Sequence, residues 1–274
     1  MSNAKSEKLS GSLPVSRRAG TQSIERAARL LRAIAGNNRT GLRLVDLVAH
    51  TGLEQPTAYR ILKSLKSENL VMQGVANRRY FLGPLMFEAG LAAAQQFSLR
   101  DICQESLARI AEKTGDTVFL TLRSGVESVC IDRKEGVFPI KVFTVNIGDR
   151  RPLGVGAGSL AILSGLSEED AQRITGANAA VLPRYGKLNA QLLMKRAKSA
   201  RERGYAIYKL WTLQGVKALG VAVRNAFGEP IAAISISGSS GRLSDKRSEQ
   251  LVSLLKKEAL LVERRISHRE VGQK

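Results

Sequence analysis

LRLVDLVAHTGLEQPTAYRILKSL, residues 42–65, contains two short helical patterns separated at Gly52. In both patterns apolar residues recur three and four positions apart, first from Leu44 and then from Ala58 onward. Each pattern therefore has one face to bury. Gly52 tolerates the positive φ that a tight turn between two helices requires. The stretch predicts a helix-turn-helix, the motif that places its second helix in the major groove of DNA.

The second predicted helix has a start signal and a polar outer face. Gln55 is expected to cap it, and Pro56 suits its first position, where a backbone donor would have no partner. The outer face is expected to contact base edges and phosphates in the major groove of double-stranded DNA. The predicted DNA-contacting residues of this helix are Gln55, Thr57, Tyr59, Arg60 and Lys63.

A basic β-hairpin is predicted directly after this helix. Residues 70–73 and 78–82 are short strand-like runs, joined by turn-forming residues. Such a hairpin is a wing, and Arg78 and Arg79 lie where a wing contacts phosphates or a minor groove. Two arginines alone are more commonly solvated surface charges, but the order of the whole motif favours DNA contact.

Two further helices are expected on either side of this motif. Ser23 is predicted to cap a helix that runs from Ile24 to about Ala35 and packs onto the helix-turn-helix. Pro84 begins another helical pattern, which is rich in small and apolar residues. We interpret it as a linker helix that helps two chains to dimerise, although an ordinary core helix fits the pattern equally well.

The charge of the chain suits a polyanionic partner. It contains 43 Lys and Arg residues against 24 Asp and Glu, a formal net charge of +19. The first 83 residues hold 14 basic and 5 acidic side chains, and the other 191 hold 29 and 19. Positive charge is therefore densest around the predicted reading motif, and sequence-independent binding to nucleic acid is expected as well.

The pattern changes from Leu99 onward to mixed helices and strands. Helices are expected over 99–114, near 189–203 and over 244–266, with short helices between. Strands are expected over 116–123, 126–133, 138–146, 205–209, 216–224 and 231–237. Consecutive strands with short turns imply a largely antiparallel sheet with helices packed on it, an α+β fold. The predicted organisation is a disordered basic arm at 1–20, a DNA-binding domain at 21–83, a linker helix at 84–98 and, at 99–268, an α+β domain with a concave face free for a ligand.

Other functional classes have little support in the sequence. Cys103 and Cys130 lack a paired spacing, and His50 and His268 are the only histidines, so we expect neither a metal nor another cofactor. No Ser or Cys has a supported His base, so we do not expect an enzyme. No apolar run approaches the roughly 20 residues that span a bilayer, and we expect no membrane partner and a cytoplasmic location. A sequence-tolerant architectural protein that binds nucleic acid without an effector is the alternative.

The chain resembles the IclR family of bacterial transcription regulators. The residues that carry the resemblance are QSIERAARLLRAIA at 22–35, TAYRILKSL at 57–65, YFLGP at 80–84, GDRRPLGVGAG at 148–158, RERGYAI at 201–207 and GEPIAAISISG at 228–238. The resemblance implies a winged helix-turn-helix, a linker helix and a C-terminal GAF-like domain that binds a small effector, often a carboxylate or an aromatic metabolite. It also implies a homodimer or a dimer of dimers on a pseudo-palindromic operator near a catabolic operon.

A candidate effector pocket follows from the glycine-rich run GVGAGS at 154–159. This run precedes an apolar helical segment, so its backbone amides can point at an anion such as a carboxylate. Tight turns use similar loops, and the resemblance adds weight to the functional interpretation. The effector-binding residues that it implies are Ile140, Val142, Ala157, Gly158, Tyr208, Ala218, Ser235 and Ser237.

Two of these positions depart from the family pattern. Tyr208 stands where many members have an acidic residue, and Ala218 stands where they often have a Cys. Tyr208, with the nearby Trp211, would make the pocket more aromatic and less acidic. We therefore predict an aromatic or otherwise bulky carboxylate in preference to a two- or three-carbon acid. Trp211 fits a core or a dimer interface equally well.

Overall fold

The computed structural model describes residues 19–94, 99–210 and 214–272. These residues form two compact units, which divide between Ala89 and Gly90. Almost all of the predicted arm at 1–20, the end of the predicted linker helix and Trp211 lie outside the described residues. The predictions made for them remain predictions.

The first unit contains helices α1–α3, a two-stranded antiparallel sheet and the start of α4. The bounds are α1 (Ala19–Ala35), α2 (Leu44–Thr51), α3 (Gln55–Ser67), β1 (Val71–Gln73), β2 (Tyr80–Leu82) and α4 (Pro84–Ala94). The apolar faces of α1, α2 and α3 meet in one core, in which Leu30, Ile34, Leu47 and Leu62 have no exposed surface. The predicted winged helix-turn-helix is therefore confirmed at the level of the fold.

Two predicted helix starts in this unit are wrong. The first helix begins at Ala19, so Ser23 lies inside it and does not cap it, because serine is tolerated within a helix whose apolar face is packed. α3 begins at Gln55, and Glu54 occupies the N-cap position. Pro56 fits the second helical position, since amides of the first turn have no acceptor within the helix.

The second unit is a six-stranded antiparallel sheet with helices on both faces. The bounds are α5 (Leu99–Thr114), β3 (Thr117–Ser124), β4 (Glu127–Lys134), β5 (Arg150–Pro152), α6 (Ala157–Gly165), α7 (Glu168–Ala177), α8 (Ala190–Arg203), β6 (Ala206–Lys209), β7 (Val216–Arg224), β8 (Pro230–Ser239) and α9 (Asp245–Gly272), with a 3₁₀ turn at Leu182–Tyr185. The strand order is β5-β4-β3-β8-β7-β6. The predicted α+β class is confirmed.

Strand alternation in β8 separates the two cores of this unit. Ile234 and Ile236 face α5 and α9, whereas Ala233 belongs to the core under α6 and α8. Ser235 and Ser237 follow Ala233 at two-residue spacing, so they face α6. The sheet therefore turns these two buried hydroxyls toward the glycine-rich loop before α6.

The strand predicted over 138–146 does not form. Strand-like alternation does not by itself supply a pairing partner, and β4 pairs instead with β5, Glu127 opposite Pro152. The segment 138–146 is fastened by other backbone bonds, such as that from the Phe138 amide to the Gly115 carbonyl at 3.0 Å. Ile140 is exposed there, and Val142 is buried.

Candidate functional site

The turn between α2 and α3 sets the direction of the second helix. Gly52 has φ +65°, and its amide donates to the Val48 carbonyl at 2.9 Å, which ends α2. Thr51 is buried beside it, and the Arg29 guanidinium of α1 donates to the Thr51 carbonyl at 3.1 Å. The turn is thus held from α1 as well as from within the motif.

α3 buries one side and leaves the opposite side in solvent. Ala58, Leu62 and Leu65 are buried against the other helices. The exposed members of the predicted reading face are Gln55, Tyr59, Arg60 and Lys63. Thr57 is half-buried, at the edge of a groove between α3 and α1 that Arg60 also borders. The helix therefore presents a polar, basic surface of the kind that enters a major groove.

The two arginines of the wing have different environments. Arg78 is exposed and adopts φ +52°, while its carbonyl accepts a bond from Gln73 Nε2 at 3.1 Å. Arg79 is half-buried, and its Nη1 donates to the Gly41 carbonyl at 2.8 Å. Part of the Arg79 guanidinium is therefore committed to the fold, whereas the Arg78 side chain extends into solvent.

A cavity in the second unit brings together most of the predicted effector residues. Its volume is about 40 Å³. Six of the eight predicted positions line it: Ala157, Gly158, Tyr208, Ala218, Ser235 and Ser237. Ile140 and Val142 are not among its described lining residues, although their part in effector binding remains a prediction.

The register of the sheet explains why these residues converge. Tyr208 of β6 lies opposite Ala218 of β7, and Ala218 lies opposite Ser237 of β8. Ser235 pairs in turn with Gly220 and with Phe119 of β3. The predicted residues therefore form a row across three neighbouring strands, beneath the start of α6.

The glycine-rich loop closes tightly over this row. Gly156 is the N-cap of α6 with φ +104°, so Ala157 and Gly158 contribute first-turn amides that have no acceptor within the helix. A Cβ on Gly158 would lie 2.8 Å from Thr121 Oγ1, and one on Gly220 would lie 2.5 Å from the Ala157 carbonyl oxygen. Only glycine lets the loop and sheet approach so closely.

Tyr208 forms a buried aromatic wall of the cavity. Burial raises the pKa of its hydroxyl, and the positive charges of Arg196 and Arg151 act in the opposite direction. The Arg196 guanidinium lies 5.7 Å from the centre of the Tyr208 ring. The ring is thus held between the α6 loop and a cation of α8.

Several cavity residues were not predicted. Ser128 and Cys130 of β4 line the cavity, and the Ser128 hydroxyl lies 2.8 Å from that of Ser159. Their two-residue spacing was a sequence signal that they share a face. Burial, and then the nearby Asp149 carboxylate, raise the pKa of the Cys130 thiol to about 12. Arg151 also lines the cavity, and strand spacing alone did not single it out.

Family models match both units of the chain. The model described as the IclR helix-turn-helix domain matches residues 23–74, and that described as the bacterial transcriptional regulator IclR C-terminal matches residues 91–264. The chain belongs to the IclR family. It is a DNA-binding transcriptional regulator, and its helix-turn-helix is formed by α2 and α3.

The relatives of this IclR-family regulator match it over most of its length. The HTH-type transcriptional regulator XynR of Escherichia coli strain K12 is 26% identical over 248 residues, 90% of this chain and 98% of the relative. The transcriptional repressor IclR of the same strain is 26% identical over 241 residues, 87% of each chain. An IclR homolog from Microbacterium hydrocarbonoxydans, solved in complex with 4-hydroxybenzoate, shares the fold with a TM-score of 0.65, at 19% identity, covering 88% of this chain and 97% of that one.

The described residues contain neither a membrane-spanning helix nor a metal-binding cluster. No described helix of this regulator is long and apolar enough to cross a membrane. No group of three or more His, Cys, Asp or Glu side chains in the described part of the chain is arranged to hold a metal ion.

Proposed function

We propose that this IclR-family protein is a ligand-responsive regulator whose effector is a small carboxylate that binds in the cavity of the second unit. The observation that carries the proposal is the meeting of first-turn amides of α6, which have no acceptor within the helix, with buried hydroxyls of β8. Helix N-termini favour anions, because their amides point outward and the helix dipole adds positive potential. Ser235 and Ser237 supply donors for further ligand oxygens.

An aromatic acid is the first candidate for the effector. Tyr208 provides an aromatic wall, and the homolog from M. hydrocarbonoxydans binds 4-hydroxybenzoate. The cavity of about 40 Å³ has room for a few water molecules only. A benzene ring would therefore enter only if Tyr208 or the segment that contains Thr144 and Val145 moves. Movement of one of these two parts of the wall is therefore part of the proposed response.

We propose that two copies of the chain read an operator of two half-sites. Arg60, with Gln55 or Thr57, would contact bases or phosphates, Tyr59 and Lys63 would extend this surface, and Arg78 and Arg79 would add sequence-tolerant affinity. The exposed apolar residues of α4 support dimer formation, because Phe87 is 69% exposed and Leu91 is 58% exposed. In this proposal the DNA-binding domain spans residues 21–83, the linker helix 84–98 and the effector-binding domain 99–268.

Effector and operator binding would be coupled through the linker helices. In this mechanism the ligand alters the packing of two linker helices, which changes the separation of the two recognition helices and their fit to half-sites about one or more helical turns apart. Because the coupling is thermodynamic, operator DNA would change effector affinity by the same factor. The proposed target is a catabolic operon, in keeping with a metabolite as effector.

A gel-shift titration tests this function. The intergenic DNA beside the gene is titrated at about 150 mM salt with excess competitor DNA, because sequence-independent binding weakens steeply with salt. The titration is repeated with 4-hydroxybenzoate, benzoate, pyruvate and glyoxylate. A competitor-resistant complex that one acid weakens or tightens supports the proposal. Binding that is sequence-blind and indifferent to every acid contradicts it and favours an architectural protein.

A further inference from the structure

Two adjacent arginines of β5 have different surroundings. Arg150 Nη2 donates to Glu127 Oε2 at 2.9 Å and to Ser124 Oγ at 2.8 Å, so its charge is neutralised within the fold. Arg151 belongs to the wall of the cavity. Neighbouring residues of a strand point to opposite faces, which is why one arginine is structural and the other faces the cavity.

The Arg151 guanidinium has no carboxylate partner within ion-pair distance among the described residues. Its Nη2 donates to the Thr144 carbonyl, a neutral acceptor. Asp149 is the acidic residue of the cavity wall, and its Oδ2 already accepts the Asn146 amide at 2.7 Å. A guanidinium has five N–H donors, so most of those of Arg151 are available to a ligand.

The positive charge of Arg151 acts on Tyr208, the aromatic wall of the cavity. It opposes the rise that burial causes in the pKa of Tyr208, as does the charge of Arg196. Both cations therefore lie close enough to the Tyr208 hydroxyl to act on a charge at that end of the cavity. A carboxylate between Arg151 and the first-turn amides of α6 would have positive potential on two sides.

We propose that Arg151 pairs with the carboxylate of the effector and makes this cavity selective for acids over their neutral amides. The inference rests on the proposed function of the cavity and names the residue that would set its charge preference. A guanidinium matches a carboxylate with two parallel N–H···O bonds, which a lysine cannot reproduce. The amide nitrogen of a neutral analogue would present N–H donors to Arg151 instead of an acceptor.

The same residue would link ligand binding to a segment of the cavity wall. Arg151 holds the carbonyl of Thr144, and Thr144 and Val145 form part of the cavity wall. A carboxylate that binds the Arg151 guanidinium would compete with the Thr144 carbonyl for its N–H donors. Ligand binding would thus loosen one of the two parts of the wall that can move to admit a ring.

Isothermal titration of the full-length protein tests the assignment with matched acid and amide probes. The probes are 4-hydroxybenzoate with 4-hydroxybenzamide, and pyruvate with pyruvamide. The variants are Arg151→Gln and Arg151→Lys, and Arg173→Gln is the control, because Arg173 is an exposed arginine of α7 that pairs with Asp170 and does not line the cavity. Loss of a charged hydrogen bond predicts at least about tenfold weaker acid binding by Arg151→Gln.

The outcomes separate the inference from the function on which it rests. Acid affinity that falls at least about tenfold in Arg151→Gln, less in Arg151→Lys and not in Arg173→Gln, with amide affinity unchanged, supports the pairing. Equal losses for acid and amide show a structural role and overturn it. Acid binding that survives in Arg151→Gln overturns it while the proposed function stands. Binding of no acid by the unaltered protein overturns both.

Discussion

The recognition helix α3 and the effector cavity are two polar sites built in opposite ways. All the predicted contacts of α3 lie within nine residues of one helix, and burial of Ala58, Leu62 and Leu65 turns them outward. The cavity draws its lining from all six strands of the sheet, β3 to β8, from the loop before α6 and from the first turn of α6. A local site survives if its helix stays packed, whereas the cavity depends on the registers of the whole sheet.

This difference determines which substitutions disturb each site. On α3 an exposed side chain can be replaced with little effect on the fold, because its surroundings are solvent. In the cavity the contact between β7 and the α6 loop is made by backbone, so even one added carbon alters the site. The predictions below test this contrast, beginning with the largest effect.

Gly220→Ala should disrupt the cavity most strongly. The new Cβ would lie 2.5 Å from the Ala157 carbonyl oxygen, and backbone on both sides cannot move away cheaply. We expect the second unit to lose about 3 kcal/mol of stability. We also expect the cavity to lose its affinity for carboxylates. Hydrogen-exchange mass spectrometry should show faster exchange in β7 and α6 and unchanged exchange in α3.

The matched control for this substitution is Gly176→Ala. A Cβ at Gly176, within α7, meets no atom within 4 Å. Alanine is the better helix former by up to about 1 kcal/mol, so slight stabilisation is expected. If the two variants had equal stability and equal affinity for carboxylates, the close approach of β7 to the α6 loop would not be required for the cavity.

Glu258→Gln should destabilise the second unit in a pH-dependent way. Burial raises the pKa of Glu258, but hydrogen bonds from Arg109 and Ser106 outweigh it and leave the pKa below its ordinary value. The stabilisation is therefore present above the unfolded pKa near 4.5 and is lost as the pH falls through the folded value. Because Arg109 is 35% exposed, we expect a cost of about 2 kcal/mol at neutral pH.

Denaturation followed by circular dichroism from pH 7 to pH 3 measures this effect. The difference between the unaltered protein and Glu258→Gln should shrink as the pH falls, because the carboxyl of the unaltered protein becomes protonated as well. A difference that stays constant across this range would mean that the pair between α5 and α9 does not depend on the charge of Glu258.

Arg60→Ala should weaken specific binding to operator DNA about tenfold or more, while changing stability by less than about 0.5 kcal/mol. Arg60 is exposed on the polar side of α3, so its loss removes a DNA contact without opening the core. Gel shift and thermal denaturation measure the two quantities, with Arg173→Ala as the control. Unchanged operator affinity would place the reading face elsewhere on the unit.

Arg78→Gln should give the smallest effect, seen as salt dependence. Loss of one phosphate contact lowers the slope of log affinity against log salt concentration by about 0.9. Arg79→Gln is the comparison, because it also removes the bond to the Gly41 carbonyl and should reduce stability as well as affinity. Equal stability of the two variants would contradict the separate roles assigned to these arginines.

The sequence predicted local helices and turns better than it predicted contacts between residues that are distant in the chain. The apolar spacing of α2 and α3 and the glycine between them specify their turn within a few residues, and the structure has both helices. The strand expected at 138–146 does not form, because alternation alone does not specify a pairing partner, and the Phe138 amide donates to the Gly115 carbonyl instead of to a strand. Likewise, nothing in the dipeptide Arg150–Arg151 states which side chain will meet Glu127.

Taken alone, the sequence determined the winged helix-turn-helix, the basic character of its surface and the membership of the chain in its family. These properties depend on periodicity, turn chemistry and composition, which act between near neighbours. Only the tertiary structure decided that Tyr208, Ala218 and Ser237 lie in one row, and that Arg151 faces the cavity while Arg150 is neutralised. Those relations depend on strand order and register, which bring residues together that are distant in the chain.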